Sequence, residues 1–77
     1  MSTVRTVADL VVGDTTTITV GGSLVRTGTV LAIEPPDENH LRYHPDDTDR
    51  LMVALQRPRG GYDVLVLRPS HPAPPQR

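Results

Sequence analysis

The chain has 77 residues, which is room for one small hydrophobic core and excludes a multidomain enzyme. It contains no cysteine, so disulfides, thiolate metal sites and cysteine nucleophiles are excluded, and it shows neither a long apolar run nor a signal-peptide pattern. Eight Arg against nine acidic residues leave a net charge of −1, which argues against a nonspecific nucleic-acid binder. We therefore expect a soluble, cytoplasmic protein that contacts no membrane.

Charge is distributed unevenly along the chain. Residues 35–49 carry one Arg and five acidic residues, a net charge of −4, whereas residues 50–77 carry five Arg and one Asp, a net charge of +4. Such segmental polarity is typical of proteins that present oppositely charged surfaces after folding. The two segments are therefore candidates for opposite rims of a contact surface.

The first half of the chain predicts a β-hairpin. β-branched residues alternate with a period of two over residues 15–20, and the glycine pair at 21–22 is typical of a hairpin turn. The second strand is predicted over residues 23–33, where Gly28 indicates a bend or a bulge. The proline pair at 35–36 ends it, because proline has no N–H to donate to a ladder.

Residues 35–50 are predicted to form a long acidic loop, which in so small a domain is more often functional or disordered than merely connective. His40 and His44 have the spacing of two metal ligands on a helical turn. However, Pro45 disfavours a helical conformation at His44, and loop ligands would be poorly held. The favoured interpretation is a solvated polar loop, and the segment predicts no metal site.

The second half predicts another hairpin. Residues 51–56 are a short apolar run that we interpret as a strand, although a short helix over residues 47–57 is the competing interpretation. The strand is favoured because residues 58–61 have the composition of a tight reversal. They lead into residues 62–68, which are rich in Val and Leu.

Four or five short strands in so few residues predict an all-β fold in which the antiparallel sheet curls into a small barrel and limits its exposed edges. We assign residues 1–69 to this one domain, with the acidic loop at 35–50 inside it. Residues 70–77 are rich in proline and lack apolar periodicity. They are predicted to form an extended or disordered tail.

Three sequence segments carry a family resemblance. Residues 10–14 read Leu-Val-Val-Gly-Asp, residues 28–33 read Gly-Thr-Val-Leu-Ala-Ile, and residues 67–69 read Leu-Arg-Pro. Over roughly residues 8–69 this pattern resembles the SH3-like small-barrel superfold of KOW, Tudor and related bacterial domains. The resemblance implies a binding module with no intrinsic chemistry.

The sequence predicts no enzyme. None of the serines lies in a nucleophile-elbow pattern, and no catalytic residue, cofactor site or small-molecule substrate is predicted. The first functional hypothesis is therefore a non-enzymatic protein-interaction or assembly module, an adapter that binds a protein partner or self-associates. The physical reason for this hypothesis is stability, because burial against a partner stabilises a small core that has no disulfide or metal.

The alternative hypothesis is a nucleic-acid-binding or transcription-associated small barrel. Its contact set is an Arg-rich hairpin comprising Arg57, Arg59, Tyr62 and Arg68. Guanidinium groups bind phosphates, and a tyrosine ring can stack on a base. These four residues are the predicted interaction surface.

Overall fold

The computed structural model describes residues 5–74 of the chain. The elements follow in the order 3-10 helix (Val7–Asp9), β1 (Thr15–Val20), β2 (Leu24–Glu34), α1 (Glu38–Tyr43), second 3-10 helix (Pro45–Asp49), β3 (Leu51–Gln56) and β4 (Tyr62–Leu67). Neither the α-helix nor the 3-10 turns in this range have the length and apolar character needed to cross a bilayer.

The four strands form one open antiparallel sheet in the order β1-β2-β3-β4. Each strand therefore pairs with its neighbour in sequence: short turns connect β1 to β2 and β3 to β4, and the helical segment 35–50 connects β2 to β3. The mostly β character predicted from the sequence is confirmed. Closure of this sheet into a barrel is not shown within residues 5–74.

Both predicted hairpins are present. The first strand matches its predicted bounds, and Gly21 and Gly22 have φ angles of 64° and 83°, which other residues rarely adopt. Leu51–Gln56 is a strand, so the competing helix interpretation was wrong for this segment. Pairing on both sides stabilises the extended form, because β3 is hydrogen-bonded between β2 and β4.

The hydrophobic core lies against one face of the sheet. Directly paired residues share a face, and on this core face the strands contribute Ile18, Val30, Val53, Leu55 and Leu67. Three more buried residues come from outside the strands, namely Val7, Leu10 and Ala73. The N-terminal 3-10 helix and the C-terminal segment therefore cover the face that the sheet buries.

β2 contains an irregularity of the kind that the sequence predicted, a bulge, but it lies further along the strand than Gly28. The register with β3 shifts between Val30 and Ala32, so Leu31 is the extra residue, three positions after Gly28. Gly28 has a different task, because a Cβ there would clash with the backbone carbonyl of Gln56 at the end of β3. Its missing side chain permits this close approach of the two strands.

The long acidic loop predicted over residues 35–50 is not confirmed, because most of it is helical. The side chain of Asp37 caps α1 by accepting a hydrogen bond from the backbone N–H of His40 at 2.7 Å. α1 ends at Tyr43, and His44 has a non-helical backbone, as the clash of Pro45 with a preceding helical residue requires. Local capping therefore stabilises a short helix that the proline and acid content of this segment did not predict.

The tail predicted to be flexible is not confirmed over residues 70–74, where a turn closed by the hydrogen bond from the N–H of His71 to the carbonyl of Arg68 leads into a segment that lies against the N-terminal residues. Ala73 is fully buried, its N–H donates to the carbonyl of Arg5 at 2.8 Å, and Thr6 and Pro72 form an antiparallel bridge. Burial and pairing hold these residues despite their proline content. Residues 75–77, the rest of the predicted tail, lie outside the described residues.

Candidate functional site

The arginine-bearing turn between β3 and β4 is held by a bidentate ion pair. Arg57 donates from Nε to Oδ2 of Asp63 at 2.9 Å and from Nη2 to Oδ1 at 2.6 Å. This fork is the strong geometry for a guanidinium and a carboxylate. The hydrogen bonds from Arg57, together with the charges of Arg57 and Arg26, hold the pKa of Asp63 below its ordinary value. The same hydrogen bonds raise the pKa of Arg57.

An open groove of about 520 Å³ lies beside this ion pair. Arg26 of β2 also faces Asp63, with 3.6 Å between Nε and Oδ1, and the Asp63 side chain is only 12% exposed. The residues that line the groove are Val25, Arg26, Thr27, Arg57, Pro58, Arg59 and Asp63. One carboxylate therefore offsets part of the positive charge that the sequence had suggested for this hairpin.

The structure spreads the four predicted contact residues over different surfaces. Arg57 and Arg59 lie in the groove, whereas Tyr62 lies on the opposite face of β4 from Asp63, because neighbouring residues of a strand alternate. Arg68 follows the far end of β4. At roughly 3.4 Å per residue, that is about 20 Å along the strand from Tyr62. Only two of the four residues thus share one site.

The acidic segment is organised around one carboxylate. The ring Nε2 of His40 donates to Oδ2 of Asp47 at 2.7 Å, and Nε of Arg50 lies 3.3 Å from Oδ1 of the same residue. The hydrogen bond from His40 and the nearby Arg50 charge hold the pKa of Asp47 below its ordinary value. The rings of His40 and His44 stack with centroids 4.8 Å apart. Within residues 5–74, no three ligand-type side chains are placed to hold a metal ion.

The outward edge of β1 is covered by both ends of the described chain. Arg5 donates from Nη2 to the carbonyl of Thr15 at 2.9 Å, and the ring Nε2 of His71 donates to the carbonyl of Thr19 at 2.8 Å. Between them, the N–H of Thr17 donates to the carbonyl of Pro74 at 3.2 Å. Each of the three outward residues of β1 therefore has a partner.

The outward edge of β4 is uncovered in the part of the chain that the structure describes. The N–H of Arg57 donates to the carbonyl of Gly61 at 2.9 Å, and hydrogen-bonded pairs alternate with non-hydrogen-bonded pairs along an antiparallel ladder. The backbone groups of Tyr62, Val64 and Val66 consequently point away from β3. No described residue outside β4 hydrogen-bonds to them.

The sheet face next to this edge is apolar. Ala32, Ala54 and Val64 form one row across β2, β3 and β4, on the face opposite the core. Val64 is 48% exposed and Tyr62 is 64% exposed. Glu34 is the one charged residue on this face of β2, β3 and β4. The outward backbone groups of Tyr62, Val64 and Val66 therefore border a largely apolar, partly exposed face, and we call these three residues the β4 edge.

Sequence reasoning identified β4 as a strand but missed its position as a free edge. It also missed the contacts of Asp63 with Arg57 and with Arg26, the second of which joins β4 to β2, two strands away in the sheet. The available signal was the run Val64-Leu65-Val66-Leu67, which contains no lysine, proline or charge to protect an edge. No sequence pattern of this kind predicted that Arg5, His71 and Pro74 cover the edge of β1.

Comparisons of this chain with protein-family models, with curated proteins and with solved structures found no match.

Proposed function

We propose that this chain is a non-enzymatic protein-interaction or assembly module that binds an extended segment along the β4 edge. The resemblance to SH3-like small barrels of the KOW and Tudor type supports a binding role without chemistry. In this proposal the sheet curls toward a barrel around the core that Val7, Leu10 and Ala73 cover, and it stays open beside β4, so the β4 edge remains free.

The observation that carries the proposal is the difference between the two edges of one sheet. β1 has a hydrogen-bond partner at each outward residue, whereas Tyr62, Val64 and Val66 present unpaired backbone groups within the described chain. An exposed edge of this kind is a template for another strand, and proteins that do not use it normally protect it. β4 carries no such protection on its outward residues.

Strand addition supplies affinity and specificity from different groups. Main-chain hydrogen bonds to the edge contribute affinity, and alternate side chains of the added strand contact the neighbouring face and contribute specificity. On the β4 edge those contacts are with Tyr62 and Val64, which are both largely exposed. The preferred partner is therefore an extended segment with apolar residues at alternate positions.

The test uses one substitution that blocks the edge without breaking the sheet. Val64→Pro removes an outward N–H that makes no bond to β3, whereas Val64→Thr keeps that N–H and the β-branched shape. Extended peptides are selected on the immobilised parent chain from a random display library, and their affinities for all three proteins are measured by calorimetry. We expect Val64→Pro to weaken binding by about tenfold or more and Val64→Thr to change it little. Peptides that bind Val64→Pro as tightly as the parent would contradict the proposal.

A parallel light-scattering measurement tests the alternative hypothesis of nucleic-acid binding. Light scattering on the chain with mixed-sequence DNA or RNA at low salt is expected to show no complex. A complex that forms only with nucleic acid, dissociates as salt rises and weakens in Arg59→Ala would replace the β4 edge with the arginine-bearing turn as the binding site.

A further inference from the structure

We propose that the strand added at the β4 edge is β4 of a second copy of this chain, so that two sheets join into one across a two-fold axis. This inference rests on the proposed function and names its partner. The axis passes beside Val64, which is then opposite Val64 of the other copy. Tyr62 is opposite Val66 of the other copy, and the reverse pair completes the ladder.

The backbone geometry permits this register because it is self-complementary. An antiparallel hydrogen-bonded pair requires that both residues direct their N–H and C=O toward the new neighbour. The outward residues Tyr62, Val64 and Val66 are evenly spaced about Val64, so the two-fold operation maps outward residues onto outward residues. Each of these pairs exchanges two backbone hydrogen bonds. A shift of one residue would place outward groups against inward ones and lose them all.

The side chains agree with the same register. On the outer face it joins the row of Ala32, Ala54 and Val64 to the same row of the other copy, which makes one continuous apolar stripe. Tyr62 packs against Val66 of the other copy, an aromatic and β-branched pair that is favourable across strands. On the core face the charged neighbour is Asp63, and its charge is already matched by Arg57 within its own chain. No like charges face each other.

The capped edge explains why the assembly stops at two copies. An isologous contact uses the same surface on both subunits and is closed once it forms. The joined sheet then ends in β1 on both sides, and at each end Arg5, His71 and Pro74 cover that edge by hydrogen-bonding one backbone group of each outward residue of β1. A third copy finds no free edge, so a dimer and not a fibre is the expected species.

Single cysteines test the contact directly, because the chain has none of its own. The Cα atoms of a hydrogen-bonded antiparallel pair lie about 5.5 Å apart, which is within disulfide range. Val64→Cys is therefore expected to form a covalent dimer rapidly under mild oxidation. Thr19→Cys is the matched control, because Thr19 is an exposed outward residue on the same sheet face at the capped edge. It is expected to cross-link much more slowly.

A mixed experiment tests the register. Tyr62→Cys and Val66→Cys are oxidised separately and then together, and the products are separated by mass. We expect the heterodimer in the mixture to form faster than either homodimer. Homodimers that dominate the mixture would overturn the register, and Val64→Cys that cross-links no faster than Thr19→Cys would overturn the contact.

Light scattering of the unsubstituted chain separates this inference from the proposed function. We expect its mass to rise from one copy to two with concentration and to stop there, and we expect Val64→Pro to remain at one copy with unchanged circular dichroism. A chain that stays monomeric at every concentration, yet binds selected peptides that Val64→Pro does not bind, would overturn the second copy as partner and leave strand addition in place. A chain that binds neither a second copy nor any selected peptide would overturn both this inference and the proposed function.

Discussion

The two edge strands of this sheet have similar lengths but opposite surroundings. β1 pairs with β2 on one side. On its other side it is hydrogen-bonded by Arg5, His71 and Pro74, which lie near the two ends of the described segment. β4 has β3 on one side and unpaired outward groups on the other, within the residues described. The difference teaches that both ends of the described segment, residues 5–74, cover one edge of the sheet. The other edge is left as the place where another strand adds.

Removal of the β1 cover should have the largest effect. Deletion of residues 71–77 removes buried Ala73, and it leaves the hydroxyl of fully buried Thr16 without the carbonyl of Pro74, to which it donates at 2.9 Å. With the lost backbone bonds, we expect destabilisation on the order of 3–5 kcal/mol in urea unfolding. We also expect association beyond two copies, because both edges are then free.

Deletion of residues 75–77 is the control, because it leaves those contacts in place. A full deletion that changes neither the unfolding midpoint nor the mass would show that the cover of β1 is not needed.

Proline substitution should distinguish the two sides of β4. Leu65→Pro removes an N–H that bonds to β3, whereas Val64→Pro removes an outward one. We expect a cost of about 2–4 kcal/mol for Leu65→Pro and about 1 kcal/mol for Val64→Pro. Urea unfolding at concentrations where both variants are monomeric measures this difference. Equal costs would mean that the alternation of free and paired groups along β4 is not as described.

Loss of one capping side chain should weaken the cover of β1 only slightly. His71→Ala removes the ring that donates to the carbonyl of Thr19 but leaves the backbone bond from the N–H of Val7 to the carbonyl of residue 71. We expect about 0.5–1.5 kcal/mol of destabilisation, as for an ordinary hydrogen bond. Thermal unfolding measures it, and Thr19→Ala, which keeps the accepting carbonyl, should leave the bond intact.

The smallest expected effect is a pH dependence at the start of β4. Because Arg57 holds the pKa of Asp63 below its ordinary value, this carboxylate contributes stability that is fully present above the ordinary pKa. The contribution is lost as the pH falls through the lowered pKa in the folded state. Asp63→Asn should therefore flatten the acid limb of the stability profile, measured by urea unfolding across acidic pH. High salt should reduce the difference.

Local patterns were sufficient to predict the strands. The alternation over residues 15–20 and the glycine pairs at the two turns predicted both hairpins, because a hairpin is formed by residues that are close in sequence. Strand bounds differed from the predicted ones by a single residue in β2 and β4. The helical structure of residues 35–50 was not predicted. α1 depends on one cap at Asp37 and on a contact between His40 and Asp47, and not on a long apolar periodicity.

The sequence predicted the contact residues less accurately than the strands. The sequence grouped Arg57, Arg59, Tyr62 and Arg68 by charge and proximity along the chain. Strand alternation places Tyr62 on the other face, and strand length carries Arg68 away from the turn. Asp63 is visible in the sequence as the one acid among the arginines of residues 50–77, but its contact with Arg26 depends on the order of the strands in the sheet, which a linear pattern does not contain.

The sequence by itself therefore determined which residues extend, where the chain turns and, in β1, which residues share one side of the strand. These properties follow from propensity, from glycine at positive φ and from a period of two, all of which act over a few residues. Only the tertiary structure decided which edge is covered. Arg5 reaches Ala73 and His71 reaches Thr19 across most of the chain length. Such contacts form because the folded core brings the two ends of the described segment together beside β1.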